Sequence, residues 1–226
     1  RWVDTDTYSP EKRNTGFWKG RGIGFGSVVL IYVGRVSREK GLEMLVEAFK
    51  ELVDTGSAVS LAVIGDGPYR DEMEASLNGY PVAFTGYLTG EELQRGYASA
   101  DVFVFPSATD TFGNVVLEAQ ASGLPVIVSD EGGPRELMID GETGLVFHAG
   151  SRSDFVTIIR LMISDLQWIT LMGHNARRFT LDRAPDSNLN YSTILHLDTQ
   201  KSTCVVANHG FCAVPTKQEE TCHDFC

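Results

Sequence analysis

The chain has 226 residues, 42% of them apolar and 22% charged, with 23 Gly and 8 Pro; this is the make-up of an ordinary globular domain with room for an appendage, and it excludes collagen-like, low-complexity and coiled-coil chains. Thirty acidic against nineteen basic side chains leave a net charge of −11, which repels phosphate backbones and anionic lipid and sets nucleic acid aside as a partner. The longest apolar runs, such as Val28 to Val33, fall far below the roughly 18 residues of a membrane span, so no transmembrane segment is expected.

The chain opens on Arg1 and shows no basic start, apolar middle and small-residue cleavage site, so no targeting peptide is read and a fragment or processed product is expected. Residues 1–27 are irregular and polar and read as a linker-like segment. Val28 to Val33 is apolar on both alternations and rich in β-branched residues, which suits a strand buried on both faces of a parallel sheet. Leu42, Leu45, Val46, Phe49 and Val53 recur at helical spacing and form one apolar stripe, with Gly56 as the expected stop. Strands are predicted at Val59 to Ile64, Val82 to Thr85, Val102 to Phe105 and Val126 to Val128, alternating with helices at Tyr69 to Leu77, Glu91 to Ala98 and Gly113 to Ala121. Gly144 to Phe147 adds a short strand, and Asp154 to Ile163 and Leu166 to Phe179 have helical spacing. Short strands separated by helices indicate right-handed βαβ crossovers, hence an α/β fold with a Rossmann-like, doubly wound parallel sheet over residues 28–183.

Periodicity fades beyond Arg183, and residues 184–226 read as a separate tail. All four cysteines lie there, spaced Cys204-x7-Cys212-x9-Cys222-x3-Cys226, with His209 and His223 nearby. Three readings stand open: solvated thiols on an extension, two disulfides with three possible connectivities, or a zinc site that lacks the usual close cysteine pairs. The abrupt change of character also permits a foreign or altered C-terminus.

In open α/β sheets ligands bind beyond the carboxyl ends of the strands, so the residues after each predicted strand carry the functional signal. The first strand ends in Gly34-Arg35 and continues to Lys40-Gly41; two cations over one crevice suit a diphosphate, and a solvated basic loop explains the same residues equally well. The second ends in Gly65-Asp66-Gly67-Pro68, which turn chemistry before a helix accounts for. It is not G-x-G-x-x-G, and no acid at the end of a second strand suits a ribose, so a nicotinamide or flavin fingerprint is lacking. The third ends in Gly86-Tyr87, an aromatic able to flank a base or simply to line the rim. The fourth, Pro106 through Glu118, is the richest. Its small and polar residues lead into a helix starting near Gly113, whose amides favour an anion or sugar hydroxyls. Asp110 precedes that helix and Glu118 lies inside it, so both carboxylates are expected to face one pocket; an acid between Leu117 and Ala119 is costly unless paired or used.

Together these junctions resemble the C-terminal, donor-binding domain of retaining glycosyltransferases of the GT-B architecture, the large family-4 or group 1 class. The resemblance runs from Val28 to Arg183 and rests on Val33-Gly34-Arg35 with Lys40-Gly41, Gly65-Asp66-Gly67-Pro68, Phe84-Thr85-Gly86, Phe105-Pro106-Ser107, Thr111 through Ala119, Ser122 through Val126, Gly132-Gly133 and Asp140 through Gly144. Each element is weak alone; their order and spacing make the match specific.

The resemblance implies transfer of a hexosyl unit from a nucleotide-diphosphate sugar with retention of configuration. Arg35 and Lys40 would hold the diphosphate and stabilise its charge as the glycosidic bond breaks. Glu118, the second acid of the family's E-x7-E pattern, would accept hydrogen bonds from the ribose. Phe112, Gly113, Asn114 and Val115 would offer backbone amides to sugar and phosphate, and Gly34, Gly86 and Tyr87 would border the donor. The first acid of that pattern is usually Glu; here it is Asp110, shorter by one methylene, which alters its reach toward the transferred sugar. No cofactor or metal is implied, the donor being UDP- or GDP-linked. Acceptor recognition (glycan, lipid or small molecule) belongs to an N-terminal domain missing from this chain, so donor binding without appreciable transfer is expected. Donor supply points to the cytoplasm, with peripheral association at the inner membrane face through the missing half. Two other readings compete: a nucleotide-sugar binding module without catalysis, and another doubly wound enzyme such as an epimerase or dehydrogenase, which the absent dinucleotide fingerprint and the absent Tyr-x3-Lys pair disfavour.

Overall fold

The computed structural model describes residues 2–24, 26–111 and 113–184. Phe112 and the whole cysteine-bearing tail, with its metal and disulfide readings, lie outside the described residues. Those up to Ala184 form one compact unit.

Its centre is a six-stranded, wholly parallel sheet: β1 (Val28–Val33), β2 (Val59–Ile64), β3 (Val82–Gly86), β4 (Val102–Phe105), β5 (Val126–Ser129) and β6 (Gly144–Phe147). The spatial order is β3-β2-β1-β4-β5-β6. Every residue of β1, β2, β4 and β5 is buried, as strands covered by helices on both faces must be, which is why their sequences are continuous apolar runs rather than alternations. Among the described residues α1 (Leu42–Asp54), α2 (Arg70–Ser76), α3 (Gly90–Ala98) and α4 (Asn114–Ala121) connect the strands from β1 to β5, and α5 (Arg152–Ile163) and α6 (Leu166–Leu181) follow β6. The chain winds outward from β1 through β2 to β3, then returns to the other side of β1 and winds outward again. Right-handed crossovers in opposite directions put their helices on opposite faces. Accordingly α1 packs with α2 and α5, whereas α4 packs with α3 and α6. The direction reverses between β1 and β4, so their carboxyl ends diverge into a crevice at this topological switch point.

The stretch read as linker-like is folded onto the domain. Phe17, Trp18 and Ile23 are buried in the same core as the sheet, each contributing about 2 kcal/mol by area. Arg13 donates to the carbonyls of Ala98 and Ala100 and pairs with Asp101, fixing the segment to the end of α3. These residues lack any helical or strand period, so periodicity could not reveal their burial. Four short 3-10 turns have no periodic signal either, among them Arg38–Lys40 after β1 and Gly133–Leu137 after β5. Both lie at the carboxyl end of the sheet, where the backbone serves loop contacts rather than a regular element.

Among the described residues no single helix is long and apolar enough to cross a membrane.

Candidate functional site

The loops after β1, β2 and β4 are bound to one another by backbone contacts. Gly34 N donates to the Ile64 carbonyl, Val36 N to that of Asp66, and Tyr69 N to that of Val36. A Cβ on Gly65 would lie 1.9 Å from the Gly34 carbonyl oxygen, so only glycine lets these two loops lie together. The Gly-Asp-Gly-Pro motif is thereby accounted for by loop packing, with Asp66 Oδ1 accepting from Gly67 N at 2.7 Å. Across the switch point, Gly41 adopts φ +71° and a Cβ there would approach the Pro106 carbonyl oxygen to 2.7 Å, which brings the loop after β1 against the loop after β4. Thr109 Oγ1 reaches the Glu39 carbonyl at 3.4 Å and Gly133 N donates to the Asp110 carbonyl at 2.8 Å. The loop after β4 is therefore held between its neighbours on both sides.

That arrangement joins two of the expected site residues. Lys40 Nζ donates to Asp110 Oδ1 at 2.6 Å across 70 residues of chain, with both side chains about one-fifth exposed at 21% and 22%. Asp110 Oδ2 is buried and has no hydrogen-bond partner among the described residues, and the same holds for Ser107 Oγ in the same loop. A buried acceptor without a donor is costly. In the sequence Ser107 is only one member of a Phe-Pro-Ser motif; nothing local signals that its hydroxyl would be enclosed.

Arg35 and Glu118 take different partners. The Arg35 guanidinium is 4.0 Å from Glu39 and its side chain is 64% exposed, leaving it free to swing over the crevice. The loop beneath it is anchored by the Tyr32 hydroxyl, which donates to the Arg35 carbonyl at 2.9 Å. Glu118, in the second turn of α4, accepts from the Tyr97 hydroxyl on α3 at 3.0 Å through Oε2. The ring of Tyr8, from the folded N-terminal segment, meets that of Tyr97 edge-on at 5.8 Å between centroids. Burial pushes the Glu118 carboxyl above the usual range, and the two tyrosine hydroxyls partly offset that by favouring the ionised form. Burial raises the Tyr97 hydroxyl well above its ordinary value, and that of Tyr8 to about 12, with the Glu118 charge adding to both. Neither tyrosine stands out in the sequence. Tyr97 sits on an ordinary helix stripe and Tyr8 in an aperiodic stretch, so only the fold reveals that Tyr97 meets Glu118 and that Tyr8 packs against Tyr97.

The remaining expected residues lie along the same rim. Gly65 N donates to the Gly86 carbonyl at 2.8 Å, and Tyr87, 73% exposed, reaches the Asp66 carbonyl with its hydroxyl at 3.4 Å. Gly113 is the N-cap of α4, with no side chain bonded to the cap. Asn114 is exposed and Val115 half-buried against the core. The first amides of α4 therefore face the loop after β4 without side-chain capping, a favourable setting for an anion.

Comparison with known proteins agrees with this architecture. The family model described as "Glycosyl transferases group 1" matches residues 27–165. Sulfoquinovosyl transferase SQD2 of Arabidopsis thaliana is 42% identical over 155 residues, covering 67% of this chain and 30% of that protein. A GDP-mannose-dependent alpha-mannosyltransferase of Mycobacterium tuberculosis is 39% identical over 151 residues, covering 66% of this chain and 38% of its own length. The chain thus spans about a third of the length of these relatives. Among solved structures, the C-terminal domain of the group 1 glycosyl transferase LpcC from Francisella tularensis superposes with a TM-score of 0.72 at 22% identity, over 82% of this chain and 100% of that one. HepE of Anabaena, solved in complex with UDP and glucose, gives 0.70 at 23% identity, over 88% of this chain and 55% of its own. The match over more than half of the sequence and the shared six-stranded parallel architecture lead to one conclusion: the chain belongs to the group 1 glycosyl transferases and has the Rossmann-like fold of the C-terminal domain of a GT-B enzyme.

Proposed function

We propose that this chain is the donor-binding half of a retaining hexosyltransferase that takes its sugar from a nucleotide-diphosphate donor. The observation that carries the reading is the Lys40–Asp110 contact across the switch point, beside a second Asp110 oxygen that is buried without a partner among the described residues. A cation and a hydroxyl acceptor side by side match the two parts of a sugar nucleotide, diphosphate and sugar. Lys40 and the exposed Arg35 take the diphosphate, whose growing negative charge they stabilise as the glycosidic bond breaks. Asp110 Oδ2 accepts from a hydroxyl of the transferred sugar, Glu118 accepts from the ribose, and the first amides of α4 donate to phosphate or sugar oxygens. Gly86 and Tyr87 border the base. The mycobacterial relative's name specifies GDP-mannose, which makes GDP one of the two first donors to try, with UDP the other. The reaction needs no metal or cofactor in this reading, because cations of the chain itself meet the leaving group.

The acceptor, whether glycan, lipid or small molecule, belongs to a further domain, and the chain by itself binds donor without appreciable turnover. Family membership sets aside the epimerase and dehydrogenase alternatives. Titration calorimetry of the chain with UDP, GDP and their sugar conjugates tests the reading. Saturable binding of one nucleotide series, lost on Arg35→Ala with Lys40→Ala, is expected. Absence of binding at millimolar nucleotide, or binding indifferent to both substitutions, would refute it.

A further inference from the structure

Glu118 is held in place differently from Asp110. Among the described residues it is half-buried and takes its hydrogen bond from the Tyr97 hydroxyl rather than from a cation. Tyr97 is fully buried, its ring packed against Phe103 at 6.1 Å and met edge-on by Tyr8 at 5.8 Å. A hydroxyl on so immobile a ring is a fixed point, and it fixes the Glu118 oxygen bonded to it at 3.0 Å. An ionised carboxylate accepts about four hydrogen bonds, so the Tyr97 donor leaves acceptor capacity for a ligand's hydroxyls. Tyr8 is itself anchored, since Arg177 Nη1 donates to its carbonyl at 2.7 Å and also to that of Ala121 at the end of α4. The N-terminal segment is thus fastened to the very helix that carries Glu118.

We propose that Tyr97, assisted by Tyr8, is a positioning residue that presets the Glu118 carboxylate for the nucleotide's ribose, and that Tyr8 makes ribose recognition depend on the docked N-terminal segment. The inference rests on Glu118 being the ribose contact, as proposed above. A flexible glutamate that must be ordered at each binding event binds more weakly than one already ordered. The tyrosines provide that order before the ligand arrives.

The test uses this chain, calorimetry, and the ribo and 2′-deoxyribo forms of UDP and GDP, with inorganic pyrophosphate as a probe of the diphosphate end. Wild type is expected to prefer the ribo form by roughly tenfold, the scale of one hydrogen bond to a charged group. Glu118→Gln removes most of that preference. Tyr97→Phe, which keeps the ring and hence the packing, narrows it to about threefold or less, and Tyr8→Phe narrows it by less; neither changes pyrophosphate affinity. Tyr97→Phe also moves the pH at which the preference disappears upward, because a donor that favours ionised Glu118 is gone. A purely structural role would lower thermal stability and leave both the ribo preference and its pH profile as in wild type; that result overturns the proposal while leaving the donor site intact. Loss of preference in Glu118→Gln but not in either tyrosine variant does the same. If wild type binds neither nucleotide nor pyrophosphate, the donor-site reading falls, and this inference with it.

Discussion

The two ends of the parallel sheet offer different kinds of space. At the amino ends, a hollow of about 550 Å3 is lined by Gly26, Ser27, Ser57, Ala58, Ile163 and Leu166 among others, yet its polar groups are already engaged. Asp101 accepts from Val29 N and pairs with Arg13, and Arg160 meets Glu51 and Thr55. At the carboxyl ends the loops are packed backbone to backbone, and Asp110 Oδ2 and Ser107 Oγ are enclosed there without partners among the described residues. Volume marks where packing is loose, whereas unmet hydrogen-bonding capacity marks where a ligand is expected. The switch-point rule makes the carboxyl end the one expected to hold a ligand.

The contrast can be broken or sharpened by substitution. The largest effect is expected from Gly65→Val, which drives side-chain atoms into the Gly34 carbonyl: urea denaturation should show a loss of about 3 kcal/mol, and nucleotide binding should vanish with it. Lys40→Ala removes the charge-assisted contact proposed for the diphosphate and should weaken nucleotide binding by roughly tenfold to a hundredfold, read by calorimetry. Asp110→Asn acts oppositely on the diphosphate end. With its partner's charge removed, Lys40 should bind inorganic pyrophosphate about threefold to tenfold more tightly, while affinity for the complete sugar nucleotide should gain less because the acceptor proposed for the sugar is impaired.

The pH dependence of stability gives a finer test. Glu118 has a raised folded value, so between its ordinary range and that raised value the folded state holds more protons than the unfolded one. Stability therefore falls as pH rises through this window and recovers on acidification. Glu118→Gln should flatten that part of the profile, checked by urea midpoints across the window; an unchanged slope would mean that burial does not govern this carboxylate. Smallest of all is the effect of filling the amino-end hollow. Ala58→Leu should leave nucleotide affinity within about twofold and stability within about 0.5 kcal/mol, as for a surface substitution.

Legibility from sequence divides along the same line. The buried strands declare themselves as apolar runs, and β1, β2, β4 and β6 match their expected limits, while β5 extends one residue further, to Ser129. Helix α4 begins at Asn114 with Gly113 as its cap, a shift of one residue explained by helix ends being set by capping rather than by period. The junction residues Arg35, Lys40, Asp110 and Glu118 are legible because the fold class gives a role to the loop after each strand. Their partners are not. Lys40 meets Asp110 only because β1 and β4 are neighbours, and Tyr97 meets Glu118 only because α3 and α4 share a face; such pairs have no local signature. The N-terminal segment misleads for the related reason that Phe17, Trp18 and Ile23 bury themselves without a period.

The most direct test of the central claim is to map nucleotide binding residue by residue, by two-dimensional amide NMR of the chain titrated with UDP and with GDP. Perturbations should gather at Gly34 to Lys40, Gly86, Tyr87, Ser107 to Asp110 and the first turn of α4. Perturbations centred instead on Ser27, Ser57, Ala58 and Leu166 would place the ligand at the opposite end of the sheet and contradict the account.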